Sequence, residues 1–419
     1  MTNALQAARA HIAANTDRLG ADLDALISVD TTYPPGDAYP QITDWLAARV
    51  AALGFATRRV VVPQPLWDMP GLGARGERVN LVCDRDTGRP KLSIYAHTDV
   101  VPASNGWTHP PFRATREGDR FFGRGVSDMK GTIASLLAAL EAAAACNVKL
   151  RYDPRLLFCT DEEGGAYPGV RWLAEQGEIA GHLLCLDGAA APRLWAGSFG
   201  SVDLMVTVHG VAAHAGKRGA GENALEKAIP ILAALMQLKA RIQARESALP
   251  TPPTETRPFS PLLSVTVMRA GVKANVVPDR AEIVMNRRYM PEENGEDAIA
   301  ELRMAIEAAA RDAGARIDMT VQGHLGATLD PHPGPHWPRW QAALAEAHGW
   351  RMEDFTRFGS TGSSDMGWVQ RTGIKEILLG GLSRPENNVH GADENVRLDD
   401  LLALARAILL YLSDEFEPA

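Results

Sequence analysis

Short apolar runs alternate with longer helical patterns through the first half of the chain. "RVNLVCD" (78–84), "KLSIYAHTD" (91–99), "RLLFCTDEE" (155–163) and "HLLCLDGA" (182–189) read as strands. "GTIASLLAALEAAAAC" (131–146) has the length and apolar density of a buried helix, and "GVRWLAEQG" (169–177) reads as a shorter one. Strands alternating with helices predict a mainly parallel sheet covered by helices on both faces. Such sheets put their chemistry at the carboxyl ends of the strands. His97, Asp161 to Glu163 and Asp187 all fall there.

From about residue 200 the period changes. "SVDLMVTVHG" predicts a strand, followed by a helix from about Glu222 to Arg245. "PLLSVTVMRAG" and "RAEIVMNRRYM" predict a hairpin across "VKANVVPD", then come a helix from about Glu293 to Ala313 and a strand "RIDMTVQG". That order, βαββαβ, is a ferredoxin-like unit. The fold class is therefore α/β, a mainly parallel-sheet domain at 1–199 and 321–419 with a second domain inserted at 200–320. "LDDLLALARAILLYL" closes the chain as an amphipathic helix for the first domain's core.

At 419 residues with 46% apolar and 22% charged positions, the chain has ordinary globular composition. A net charge of −8 offers no basic field to nucleic acid. No apolar run is long enough to span a membrane, and the first residues form an acid-containing amphipathic pattern rather than a basic segment before an apolar one. Cys83, Cys146, Cys159 and Cys185 stand singly, without CxxC spacing. The expectation is a cytoplasmic protein of a reducing compartment.

Candidate chemistry gathers at the strand ends. Asp99 stands two residues after His97, at the strand period, where a carboxylate can fix an imidazole tautomer. Asp128, in "FFGRGVSDMKG", sits just before the buried helix, as a cap or as a carboxylate with an oxygen for each of two cations. Three adjacent acids, Asp161, Glu162 and Glu163, repel one another unless a dication offsets them. One can then hold the cation while its neighbour holds an activated water. Asp187 adds another oxygen ligand and His390, in "NNVHGADE", a distant second imidazole. "GSTGSSDMG" (359–367) can offer backbone donors to an anion or form a plain turn, and His332 and His336 read as loop residues.

"AHTDVVP", "GRGVSDMKG", "TDEEGG", "VHGVAAHAG", "ANVVPD" and "NNVHGADENVRLDDL" occur in the order and spacing of a large metallopeptidase family. The chain resembles that family, which includes acetylornithine deacetylase, succinyl-diaminopimelate desuccinylase, aminoacylase, carboxypeptidase G and carnosine dipeptidases. The resemblance implies a catalytic domain with an inserted lid and dimerisation domain, and a homodimer or higher homo-oligomer. It implies that His97 and Asp187 hold one metal, Glu163 and His390 the other, with Asp128 bridging, Glu162 as general base and a cis Asp128–Met129 bond. By the same resemblance His214 reaches a partner's site, Asn275 stabilises an anion, Arg288 binds a substrate carboxylate and Trp107 follows the first ligand. Alone, His214, Asn275 and Arg288 would read as a loop histidine, a turn asparagine and a solvated strand arginine.

Two histidines and three carboxylates suit two divalent ions, zinc first and manganese or cobalt next. The resulting function is hydrolysis of a C–N bond in a small carboxylate-bearing molecule, the amide of an N-acyl amino acid or dipeptide, by a metal-activated hydroxide with Glu162 as base. An alternative is an aminohydrolase releasing ammonia from an activated, even aromatic, amine. A ligand-binding homologue without catalysis is the alternative of another class, but it predicts a missing ligand or base, and all are present. Two departures bear on substrate. Asp187 is aspartate where the deacylases carry glutamate, and Asn286 replaces an acid beside Arg288, with Arg287 expected to make the pocket more positive.

Overall fold

A computed structural model describes residues 3–69, 71, 73–329 and 334–417. The chain divides into two compact units, Met1–Trp195 with Asp330–Arg357 and Trp368–Ala419, and Ala196–Leu329 with Phe358–Gly367. No helix among the described residues is long and apolar enough to cross a membrane.

The first unit is built on a six-stranded sheet in the order Ala56–Val61, Val79–Asp84, Asp153–Cys159, Lys91–His97, His182–Cys185 and Ile377–Leu379. The last four strands run parallel. The first two join antiparallel, so that Leu81 lies opposite Phe158 and the start of one strand meets the end of the next. Parallel neighbours need a crossover, and helix Lys130–Ala145 supplies it between Lys91–His97 and Asp153–Cys159. That helix buries residues around most of its circumference, as its uniform apolarity requires. It is packed by helices Thr16–Ser28 and Leu398–Leu412, the latter also against Trp337–His348. His336 immediately precedes that last helix, bonds Glu376 through Nδ1 at 2.6 Å and stacks on His182. His332 lies outside the described residues.

The second unit is a four-stranded antiparallel sheet in the order Leu262–Ala270, Arg280–Tyr289, Gly200–His209, Arg316–Leu325, with helices Ala224–Gln243 and Gly295–Asp312. Alternate strand residues Leu204, Val206, Val208, Ala281, Ile283 and Met285 meet Ile231, Leu235, Leu302 and Ile306 in one core, the period-two face packing on the period-3.6 face. Both helices start two residues later than the apolar pattern suggests. Asn223 caps the first through the Leu225 and Glu226 N–H groups, and Asn294 caps the second through Glu296. Each cap contributes about 1 kcal/mol.

The division differs from the sequence reading at three places, the first being that the second unit begins at Ala196 rather than at residue 200. Strand Arg316–Leu325 continues past residue 320 because Leu325 still pairs with Ser201. Residues 358–367 join the second unit through hydrogen bonds that no local pattern reveals, the Phe199 N–H donating to the Ser360 carbonyl at 3.0 Å and the Gly359 N–H to that of Pro250 at 2.8 Å.

Candidate active site

His97 ends its strand fully buried. Its Nδ1 lies 3.1 Å from the Asp99 carbonyl oxygen and 3.6 Å from the Asp99 carboxylate. The carbonyl, rather than the expected carboxylate, is thus the closer orienting group. The Asp99 carboxylate has another partner, accepting the Glu163 N–H at 2.9 Å through Oδ2. Its buried Oδ1 has no hydrogen-bond partner.

Asp128 stands between the two imidazoles. Oδ1 is 3.2 Å from His97 Nε2 and Oδ2 is 3.4 Å from His390 Nε2. The Asp128–Met129 peptide is cis. Glu394, which sequence reasoning did not single out, holds this loop: its buried carboxylate accepts from Arg124 at 2.7 Å and from the N–H groups of Gly125, Ser127 and Asp128 at 3.1, 2.9 and 3.1 Å. Strand Asn395–Arg397 pairs with Arg120–Phe122, so the residues flanking each strand, His390 to Glu394 and Gly123 to Asp128, are brought together across most of the sequence. Arg124 also donates to the His390 and Gly391 carbonyls at 3.3 and 3.1 Å and lies over the Trp107 ring. Trp107 is packing for that arginine.

The three adjacent acids separate into different environments. Asp161 takes a left-handed conformation, φ 62°; its carboxylate accepts from Tyr39 at 2.7 Å and from Arg78 at 2.9 Å. Glu162 is buried. Glu163 meets His390 Nε2 at 3.1 to 3.2 Å. The loop closes tightly: a Cβ at Gly165 would lie 2.2 Å from that of Asp161, so only glycine fits.

Negative charge dominates this centre. Burial, with Asp128 nearby, pushes Glu163 up to about 7 and Asp187 up to about 6. Burial alone would lower His97, but Asp128 and Asp99 hold it well above the usual histidine range. Asp128 and Glu163 raise His390 to about 10. Burial would likewise raise Asp128, yet His390 and His97 bring it below the usual carboxylate range. A cluster that draws protons onto both imidazoles and into its carboxylates also attracts a dication.

The donor set fits such ions. One ligand atom from each of His97, Asp128 and Glu163 lies within 4.8 Å of the others. Asp128 presents one oxygen toward each imidazole, as a bridging carboxylate requires. His97, ligating through Nε2, would turn its Nδ1–H toward the Asp99 carbonyl and the unpartnered Asp99 Oδ1. Among the described residues no hydrogen bond joins Asp187 to the other four, and its link to them is its charge, felt with Asp128, His97 and His390.

In the second unit two segments far apart in sequence pair. His214 bridges Val276, and the Ala215 N–H donates to the Asn275 carbonyl at 3.0 Å. Both side chains are exposed. His214 Nδ1 accepts the Gly216 N–H at 3.1 Å, which puts the proton of the neutral ring on Nε2. Arg288 donates to Asn286 at 3.1 Å and to Ser363 at 2.7 Å, so the 359–367 segment is part of the arginine's surroundings. Asn286 in turn bonds Asp203 at 2.7 Å, its register partner on the neighbouring strand. The acid missing at 286 is thereby supplied from across the sheet. The expectation for Arg287 fails: strand alternation turns it to the other face, where it is fully buried and paired with Glu293 at 2.8 Å. It adds no positive charge beside Arg288.

The profile of peptidase family M20/M25/M40 matches residues 93–414. A succinyl-diaminopimelate desuccinylase from Acidiphilium cryptum is 34% identical over 341 residues, covering 79% of this chain and 84% of the relative. Among solved structures, the di-peptidase Dug1p from Saccharomyces cerevisiae aligns with a TM-score of 0.81 at 16% identity, covering both chains completely. Human carnosine dipeptidase 1 aligns at 0.77 with 17% identity, over 97% of this chain and 99% of the other. These two similarities show the fold.

Proposed function

The chain belongs to peptidase family M20/M25/M40 and is a hydrolase; from that premise we propose that it cleaves the amide of an N-acyl amino acid or dipeptide bearing a free carboxylate. The observation that carries this reading is the Asp128 carboxylate shared between His97 and His390, with Glu163 on His390 and Glu162 beside it. His97, Asp187, Glu163, His390 and bridging Asp128 would hold two divalent ions, zinc, manganese or cobalt, which when bound lower the pKa of water and polarise a carbonyl.

The chain's own groups do the rest. Glu162 takes the proton of the attacking water and passes it to the departing nitrogen, one carboxylate acting as base and then acid. Asp99 orients both His97 and the Glu163 backbone. His214 presents an Nε2–H donor to the carbonyl oxygen as charge develops, with Asn275, its neighbour across the paired segments, as a second donor. Arg288 is the clamp for the substrate carboxylate, its fork pre-set by Asn286 and Ser363. The desuccinylase relative, by its name, removes a succinyl group, which favours amide cleavage over ammonia release.

The test is a substrate panel on protein reconstituted with zinc, manganese or cobalt. N-succinyl and N-acetyl amino acids and dipeptides should release amine, and capping the carboxylate as a carboxamide should raise KM by about tenfold or more. Ammonia release from amino-aromatic acids instead would favour the aminohydrolase. Absence of both turnover and bound metal would overturn the reading.

His214 tests the oligomer. The proposal is a homodimer in which His214 serves the partner's site. His214→Ala should then lose about 10²-fold in kcat, and mixing it with Glu162→Gln should restore activity, since one hybrid site has both groups. No recovery in a verified heterodimer would show that His214 acts within its own chain.

A further inference from the structure

The first of the three acids has no place in the chemistry just described, yet it has the most elaborate support. Asp161 is almost fully buried. A non-glycine residue at φ 62° sits in a sparsely populated region and persists where its surroundings over-determine it. Here they do. Its carboxylate takes the Tyr39 hydroxyl on Oδ1 and Arg78 Nε on Oδ2, and its carbonyl takes the Gly165 N–H at 3.2 Å.

Arg78 is itself fixed. It is fully buried, donates to the carbonyls of Pro35 at 2.9 Å and of Arg75, and lies 4.3, 5.3 and 5.5 Å from the ring centres of Trp67, Tyr39 and Tyr33. A Cβ at Gly36 would stand 2.8 Å from the Tyr39 ring and 2.9 Å from Arg78 Nη2, so the chain closes on the pair from that side. The sheet explains the meeting. Strand Val79–Asp84 runs antiparallel to Asp153–Cys159, so the residue before one lies beside the residues after the other.

A buried ion pair contributes little net stability, since desolvation offsets most of its attraction. Its geometric effect is larger. Asp161 is where the chain turns off the sheet, and the next two residues are Glu162 and Glu163. On the far side of the loop, Asp99 holds the Glu163 N–H. The acidic loop is therefore gripped at both ends.

We infer that Tyr39, Arg78 and Asp161 form a positioning clamp that aims Glu162 and Glu163, and that none of the three touches substrate. The inference rests on the roles given above to those two glutamates. It assigns the aromatic-ringed arginine to catalysis by geometry rather than to stability.

Arg78→Met risks misfolding, so the test uses Tyr39→Phe, which keeps the ring and removes one hydrogen bond, and Asp161→Asn, which keeps the shape and the tolerance for positive φ. Kinetics on the reconstituted enzyme, metal affinity by competition with a chromogenic chelator, and thermal melting are measured beside Glu162→Gln. Tyr39→Phe should lower kcat about tenfold and Asp161→Asn about 10²-fold, with KM within about twofold, and weaken metal binding by about tenfold. A fall in kcat or in metal affinity at constant KM supports the clamp. Lower melting temperatures with both quantities unchanged, or a change confined to KM, would overturn it. The two readings fail separately. Full activity in Glu162→Gln removes the base while the metal affinities still judge the clamp, and an inactive Glu162→Gln beside normal Tyr39→Phe and Asp161→Asn removes the clamp alone.

Discussion

Glu162→Gln is expected to lose about 10³-fold in kcat, roughly 4 kcal/mol of transition-state stabilisation, while keeping its metal and its fold. Glutamine matches the size of the buried side chain and can still accept a hydrogen bond, but it cannot take a proton from water at neutral pH. Glu163, not Glu162, faces His390, so removing the charge at 162 leaves the contacts among His97, Asp128, Glu163 and His390 in place. Metal content by plasma mass spectrometry and single-substrate kinetics read the two effects separately. Activity within tenfold of the parent would remove Glu162 as the proton carrier.

Asp128→Asn tests the centre itself and is the harsher change. Asparagine keeps the shape, yet offers one carbonyl oxygen where two imidazoles now each face a carboxylate oxygen, at 3.2 and 3.4 Å. Its amide nitrogen has no lone pair for a metal. The variant is expected to fall from about two bound ions to one or none and to lose turnover altogether. The Glu394 bonds to the Arg124–Asp128 loop use backbone N–H groups and Arg124, so they remain and the fold should survive. Two ions retained at parental affinity would show that Asp128 does not bridge.

The parts of this protein legible in its sequence are those governed by local period and local chemistry. Alternation marks Lys91–His97 and Gly200–His209, apolar density marks helix Lys130–Ala145, and strand ends mark His97 and Glu163. The cap asparagines Asn223 and Asn294 move helix starts by two residues. One failure, at Arg287, is a missed local alternation, and the others are non-local. Arg287 directly precedes Arg288 in sequence but lies on the opposite face, because successive strand residues alternate. Asp203 restores a charge at Asn286 through strand register. Glu394 lies within the segment NNVHGADENVRLDDL, but its four donors come from a loop 266 to 270 residues earlier.

What the sequence determined by itself is the element order, the two sheet types and the set of chemically competent side chains, since these depend on spacing along one chain. Tertiary structure decided what surrounds each acid. In the sequence the three carboxylates form one short acidic run. They become an anchor, a buried acid and a partner of His390 because Arg78, Tyr39 and Asp99 arrive from other elements and give each a different electrostatic and geometric surrounding. Charge and hydrogen bonding act through space, and only the folded chain sets those distances.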